Sequence, residues 1–219
     1  MKKPVILAVD TSTKKLSMCL YKDGIYYKTN IYSKDHSELL IKIFDKLLKN
    51  TNTKLSELTH IGVNIGPGSF TGLRVGLSFV KTLSIYLKLK IIVTTSFGIL
   101  INKFLEKNYK KIENKEIIIL FPSIKNEFYF CRFLYQKNLL KQKTKPAYLD
   151  FQKIKKFIEN QKNSIVIAPS KIKELHIVKK INFSSENIIK IFLEGKYKTL
   201  YNIIKPDNLY PLYIRHTYY

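Results

Sequence analysis

Chemistry needs side chains of the right type at the right spacing, and this 219-residue chain offers few. Its four histidines, His36, His60, His176 and His216, are scattered, with no pair at i, i+3 or i+4. A helical His-x-x-x-His metal site is therefore missing from the sequence. No Gly-x-Ser-x-Gly elbow occurs either. The two cysteines, Cys19 and Cys131, lie far apart and outline neither a disulfide framework nor a metal knuckle. Cys19 falls within an alternating apolar run, the setting of a buried, inert thiol. One carboxylate stands where phosphate or magnesium chemistry would want it. Asp10 ends the apolar run Val5–Val9 and is followed by Thr11-Ser12-Thr13. Two readings of it remain open, a phosphate or magnesium residue and a cap for its own turn. No second acid complements it.

The most particular stretch is Gly66-Pro67-Gly68-Ser69-Phe70-Thr71-Gly72-Leu73-Arg74. The apolar run Ile61–Ile65 leads into it as a buried strand, and Leu73–Leu87 continues with apolar residues at helical spacing. It is thus a strand-to-helix turn held in one shape by glycines and a proline. Free N–H groups at such a helix start, with the helix dipole, can receive an anion or a partner's carboxylate. Gly66, Gly68, Ser69, Thr71 and Arg74, together with Asp10 and Thr11, are the candidates for that contact. The loop is not a Walker A motif, which requires a different glycine spacing and a lysine, and its third glycine comes one residue late for a dinucleotide fingerprint.

The helix after the loop is apolar on two sides. At about 100° per residue, Leu73, Leu77, Val80 and Leu87 share one side. Val75, Phe79, Thr82 and Tyr86 share roughly the opposite one, and Arg74, Ser78, Lys81 and Lys88 occupy the polar strip between. A surface helix of a lone domain needs a single apolar stripe. One side covers the chain's own sheet, and the other needs a second domain or a second protein. Gly72 and Gly76, one turn apart, would let another helix approach closely.

The rest of the chain supplies the frame. Leu16–Tyr21 alternates as a strand, Asp23-Gly24 signals a hairpin, and Ile25–Ile31 returns as a third strand. Asp35 with Glu38 resembles a capping box ahead of an amphipathic helix carrying Leu39, Leu40, Ile43, Phe44, Leu47 and Leu48. Lys90–Thr94 is a further strand, and Ser96 opens a helix to about Leu105. Three hairpin-linked strands followed by crossovers make a mixed-sheet α/β unit. The polar, lysine-rich segment 107–115 marks a boundary, giving lobes at 1–106 and 107–219. Beyond it, strands are expected at 116–121, 127–135, 139–148 and 164–168. A helix runs from Asp150 through Ile158, and another from about Glu186 to Leu193, broken near Gly195 and resumed to Ile204. Two related α/β units suit the actin, sugar-kinase and chaperone-ATPase superfold.

Composition bounds the partners. No apolar run reaches 18 residues, and the amino-terminal apolar run is too short for a signal peptide, so the chain is expected in the cytoplasm and off the membrane. The formal charge of +23 invites a nucleic-acid reading, yet only Arg74, Arg132 and Arg215 are arginines. Abundant Lys, Ile, Asn, Tyr and Phe also follow from codon bias toward A and T. A nonspecific attraction to tRNA follows from the field itself under either explanation.

The strings Ile6-Leu7-Ala8-Val9-Asp10-Thr11-Ser12-Thr13, His36-Ser37-Glu38-Leu39-Leu40, Gly66 through Arg74, and Pro211-Leu212-Tyr213-Ile214-Arg215 come in the order seen in the TsaB (YeaZ) family. The resemblance is close in the first half and loose in the second, except for the closing string. It implies a two-lobed actin-like fold, α/β with mixed sheets and helices in each lobe. It also implies a non-catalytic scaffold in tRNA threonylcarbamoyladenosine synthesis, packing its first-lobe helices on a TsaD-type transferase. His36, Leu40, Phe44, Gly72, Val75, Gly76 and Phe79 would make that contact. A TsaE-type ATPase would join, tRNA would be met through the complex, and the chain alone would form a homodimer. No cofactor or metal would be required, with weak ATP or ADP binding allowed at the partner interface. Members usually carry Asp-Ala-Arg-x-x-Glu-Val-Tyr after the first strand of the second lobe. Here Pro122–Tyr129 keeps Glu127 and Tyr129 and lacks the Asp and Arg. An autonomous peptidase or an ATP-dependent phosphotransferase is the competing expectation, and a tRNA-binding module acting through charge alone is a third.

Overall fold

The computed structural model describes residues 3–33, 35–124, 126–161 and 163–214. Arg215 and His216, named above, lie outside the described residues, as does Lys125 within the altered turn. Contacts divide the chain into two units, residues 1–95 with 184–212, and 96–183 with 213–219.

In the first unit, β1 (Ile6–Asp10) pairs antiparallel with β2 (Lys15–Lys22), which pairs antiparallel with β3 (Ile25–Tyr32). Asp23 and Gly24 both take positive φ, 51° and 85°, as the expected two-residue turn requires. Helix α1 (Ser37–Asn50) then crosses to β4 (His60–Asn64), and α2 (Phe70–Leu87) crosses to β5 (Lys90–Thr94); β1, β4 and β5 run parallel. Alternation along the strands divides the apolar residues between two faces. Leu7, Val9, Leu16, Met18 and Leu20 face α1 and α2, where Leu40, Ile43, Leu47, Leu73, Leu77 and Val80 complete the core. A later segment covers the opposite face. Helix α5 (Glu186–Glu194) packs there on β1, β2, β4 and β5. A Cβ on Gly62 would come within 2.8 Å of Ile188, so glycine lets that helix seat closely.

The second unit holds α3 (Ser96–Asn108) and strands β6 (Lys115–Pro122), β7 (Glu127–Gln136), β8 (Leu139–Gln142) and β9 (Ala147–Asp150). Helix α4 (Phe151–Glu159), β10 (Ser164–Ala168) and the short β11 (Lys179–Lys180) complete it. Its sheet runs β11-β10-β6-β7-β8, with β9 also pairing to β7. Asp150 caps α4 as expected, accepting from the Lys153 amide at 2.9 Å. Ile154 and Ile158 sit on Ile118, Leu120, Phe128 and Phe130. Among the described residues no helix is long and apolar enough to cross a membrane.

Three expectations need correcting. The chain does not divide at 107–115, because α3 contacts β6 and that polar stretch merely joins the two within one unit. Polarity marks an exposed connection; it does not say which sheet buries the neighbouring apolar faces. Second, Gly195, at φ 59°, ends α5, and the chain continues as β12 (Tyr201–Ile204) instead of a resumed helix. β12 pairs antiparallel with β5, which returns 184–212 to the first unit. Third, the single strand expected over 139–148 is two, β8 and β9, each pairing a different stretch of β7.

Candidate functional site

The glycine-rich loop and the Asp10 turn form one lock. Asp10 is 2% exposed, and its Oδ1 accepts from the Ser12 amide at 3.0 Å and from Asn64 Nδ2 at 3.1 Å. Asn64 Oδ1 accepts from the Gly66 amide at 2.9 Å. The Ser69 amide donates to the Ser12 carbonyl at 2.7 Å, and Ser69 Oγ caps α2 by accepting from the Gly72 amide at 3.2 Å. The ends of β1 and β4 and the start of α2 are thereby tied by a continuous chain of bonds. Burial pushes the Asp10 carboxyl above its ordinary range, opposed by the Ser12 and Asn64 bonds and by the charge of Lys15.

The glycines are explained by what surrounds them. A Cβ on Gly68 would lie 2.3 Å from the Ser12 carbonyl oxygen, and one on Gly72 would lie 2.2 Å from that of Thr11. One on Gly76 would lie 2.3 Å from Thr11 Oγ1. The spacing of Gly72 and Gly76 therefore admits the chain's own Thr11, not a foreign helix, and the two are withdrawn from the partner set. The Ser69 and Gly72 amides are engaged internally, so the loop acts as a clasp and those two amides are not offered to an anion. Thr71 and Arg74 remain exposed, with the Arg74 guanidinium 4.1 Å from the Phe70 ring centroid.

The outward flank of the first unit lies along α1 and α2. Leu40, at 2% exposed, and Leu77, at 6%, belong to the core. His36 is also buried; its Nε2 donates to the Thr13 carbonyl at 2.9 Å, tying α1 to the β1–β2 turn. Neither His36 nor Leu40 can present itself to a partner. Phe44, Val75 and Phe79 can. Each is half-buried, resting on the core with one edge outward, and Phe44 meets Phe79 edge-on at 5.2 Å between centroids. Tyr86 extends the α2 shoulder and is 75% exposed. Ile41, on the shoulder of α1 that carries Phe44 and Leu48, is exposed, as is Ile85. Sequence reasoning did not single out Ile41 or Ile85. Their signal was an isoleucine outside the buried stripe of its helix.

Elsewhere, Glu127 and Tyr129 of the altered turn face the second sheet. Glu127 accepts from the Tyr148 hydroxyl, and the Tyr129 ring packs tilted against Tyr148 at 5.1 Å between centroids, joining β7 to β9. Burial pushes the Cys19 and Cys131 thiols up to about 12, as suits inert core cysteines.

The family model described as TsaD: tRNA N6-adenosine threonylcarbamoyltransferase matches residues 27–194. The chain belongs to this family, as a TsaB (YeaZ) member. It is 28% identical over 135 residues to the tRNA threonylcarbamoyladenosine biosynthesis protein TsaB of Buchnera aphidicola subsp. Acyrthosiphon pisum, covering 61% of this chain and 59% of that protein. The counterpart from Buchnera aphidicola subsp. Schizaphis graminum is also 28% identical, over 137 residues, covering 62% of this chain and 63% of that one. The match thus spans about three-fifths of each curated relative. The structure of YeaZ from Pseudomonas aeruginosa superposes with a TM-score of 0.72 at 17% identity, covering 96% of this chain and 100% of that one. The fold is accordingly that of this neighbour, α/β with mixed sheets as expected from the sequence.

Proposed function

We propose that this protein is a non-catalytic partner subunit in tRNA threonylcarbamoyladenosine synthesis, binding a TsaD-type transferase through the α1–α2 flank. The observation that carries the reading is that flank, where Phe44, Val75 and Phe79 stand half out of the core beside the exposed Ile41 and Tyr86. Completing the burial of such side chains is worth on the order of 1 kcal/mol each. A cluster of aromatics and branched aliphatics at the centre of a contact is what binding hot spots are made of. The buried lock behind the flank fixes α2 to the ends of β1 and β4, so the surface is rigid before it is met. In this reading a TsaE-type ATPase joins the pair, and the flank serves self-association when the transferase is absent. A phosphotransferase is disfavoured by Asp10, which is buried and held by Ser12 and Asn64.

The test is threonylcarbamoyl transfer to tRNA in a reconstituted mixture of the cognate transferase, ATPase and adenylate-forming enzyme, with this protein present or omitted. Transfer is expected to collapse on omission, and unchanged transfer refutes the proposal. Phe79→Arg is expected to weaken capture by the transferase at least ~100-fold while the fold survives.

A further inference from the structure

The second unit concentrates positive charge. It holds 20 basic residues against 7 acidic, net +13 in 95 residues, whereas the first unit has 19 against 9, net +10 in 124. Part of that excess lies on the face of the sheet that α4 covers. Lys141 stands opposite Leu134 on β8, and the Lys143 amide donates to the Arg132 carbonyl, which continues the ladder. Arg132 lies opposite Ile118 of the α4-side core and over Phe157 of α4, 5.1 Å from its centroid. Alternation therefore puts Lys141 and Lys143 on the α4 side. Ile154 and Ile158 turn inward, so Lys155 and Lys156 turn out. On the far flank, Ile172 and Leu175 pack into the same core and leave Lys171 and Lys173 exposed. Segments 139–145, 150–159 and 169–178 together carry eight lysines against Asp150, Glu159 and Glu174. The ion pairs among the described residues involve none of the six lysines just named.

We propose that this α4 face is a docking surface for the phosphate backbone of RNA. Codon bias toward lysine acts on the whole chain and does not align lysines from three separate segments on one face of a sheet. The chemistry suits phosphates more than bases. Lysine is a point charge on a flexible stem, without the bidentate fork that reads guanine, and the one arginine here is engaged by Glu116. A sequence-independent electrostatic grip of this kind positions a nucleic acid and leaves its reading to another protein. Choosing tRNA as the RNA rests on the function proposed above; the binding surface does not.

Fluorescence anisotropy of labelled tRNA with the full chain, titrated over salt, tests it. Two quadruple variants each lower the charge from +23 to +19. One replaces Lys141, Lys143, Lys155 and Lys156 by Gln, and the other replaces the exposed first-unit residues Lys88, Lys90, Lys198 and Lys205. The first is expected to lose at least tenfold in affinity at ~0.1 M salt, with a log–log salt slope shallower by about three. The second should stay within about twofold. Changing the same four α4-face lysines to Arg keeps the charge and should keep the binding, which separates lost charge from a damaged fold. Equal losses in the two Gln variants, or none in either, overturn the proposal. So does retention on phosphatidylserine vesicles that tRNA fails to compete. No transferase enters this assay, so failure of the partner-subunit reading leaves its result standing.

Discussion

Glycines 72 and 76 lie one turn apart on α2 and both face Thr11, yet they should respond differently to the same small change. At Gly72 the obstacle to a Cβ is the Thr11 carbonyl oxygen, 2.2 Å away. Ordinary contact needs at least about 3.4 Å, so the backbone must retreat by more than 1 Å. That carbonyl belongs to the turn between Asp10 and Ser12, both held by hydrogen bonds. Overpacking a tight site costs ~1–3 kcal/mol, and a backbone obstacle belongs at the upper end. Alanine returns at most about 1 kcal/mol of helix propensity. Gly72→Ala should therefore destabilise by about 2 kcal/mol net, lowering the thermal midpoint by about 4–8 °C. At Gly76 the nearest atom is Thr11 Oγ1 at 2.3 Å, a side-chain atom. Removing it with Thr11→Ala leaves the Thr11 Cβ as the nearest Thr11 atom, at 3.3 Å.

The asymmetry is the test. Thr11→Ala should recover most of the loss caused by Gly76→Ala and almost none of that caused by Gly72→Ala. Urea unfolding followed by circular dichroism, run as two double-mutant cycles, measures both couplings. A Gly72→Ala protein as stable as the parent would refute the clasp. Equal rescue in the two cycles would show that the loop yields as a body and that the distinction between backbone and side chain is empty.

Other consequences are simpler to state. Burial, helped by the charge of Lys90, holds the His60 imidazole below its ordinary 6.5, so the unfolded chain takes up that proton first. The His60 contribution to stability is then full above 6.5 and falls as pH drops below it; His60→Phe should flatten the urea midpoint between pH 7.5 and 5. Asp10 has the opposite sign. Its folded carboxyl is raised above 3.8, so its contribution is present below that value and lost as pH rises through the folded one. The stability of Asp10→Asn relative to the parent should therefore climb with pH above about 4 and then level, and a flat difference would refute the burial argument. Neither Cys19 nor Cys131, pushed up to about 12, should react with a thiol reagent at pH 8 until urea unfolds the chain.

How much of this was legible depended on the range over which each feature is decided. Asp23-Gly24, the Asp150 cap and the apolar stripe Leu73-Leu77-Val80 are settled by a few neighbouring residues, and all appear as read. The unit boundary was not, because it turns on α3 packing against β6 and on β12 reaching back to β5 across more than a hundred residues. No local pattern in Tyr201–Ile204 says which strand it will meet. The partner set divided on similar grounds. Helical spacing placed Val75 and Phe79 on the outer shoulder, but His36 and Leu40, assigned by family resemblance, face inward, and the spacing of Gly72 and Gly76, read as room for another helix, is filled by Thr11. Resemblance transfers a residue's identity without its direction.

That division says something about the nine-residue string itself. Gly-Pro-Gly-Ser-Phe-Thr-Gly-Leu-Arg is the most recognisable stretch of the chain, and most of its atoms do structural work. Two of its glycines clear Thr11 and Ser12, its serine caps α2, and Leu73 enters the core. The proposed contact surface lies outside the string, on Phe44, Val75, Phe79 and Tyr86, whose types are ordinary. The two are mechanically coupled. α2 starts where Ser69 meets Ser12, so the clasp sets the rotation of the helix, and the rotation decides that Val75 and Phe79 stand outward while Leu77 does not. A change in the clasp should reach the partner through that rotation. Gly72→Ala is accordingly expected to weaken capture of the transferase even below its unfolding temperature, although no atom of Gly72 faces outward. Capture measured at 10 °C, where the variant is still folded, decides it, and undiminished affinity would mean that the helix keeps its rotation without the clasp.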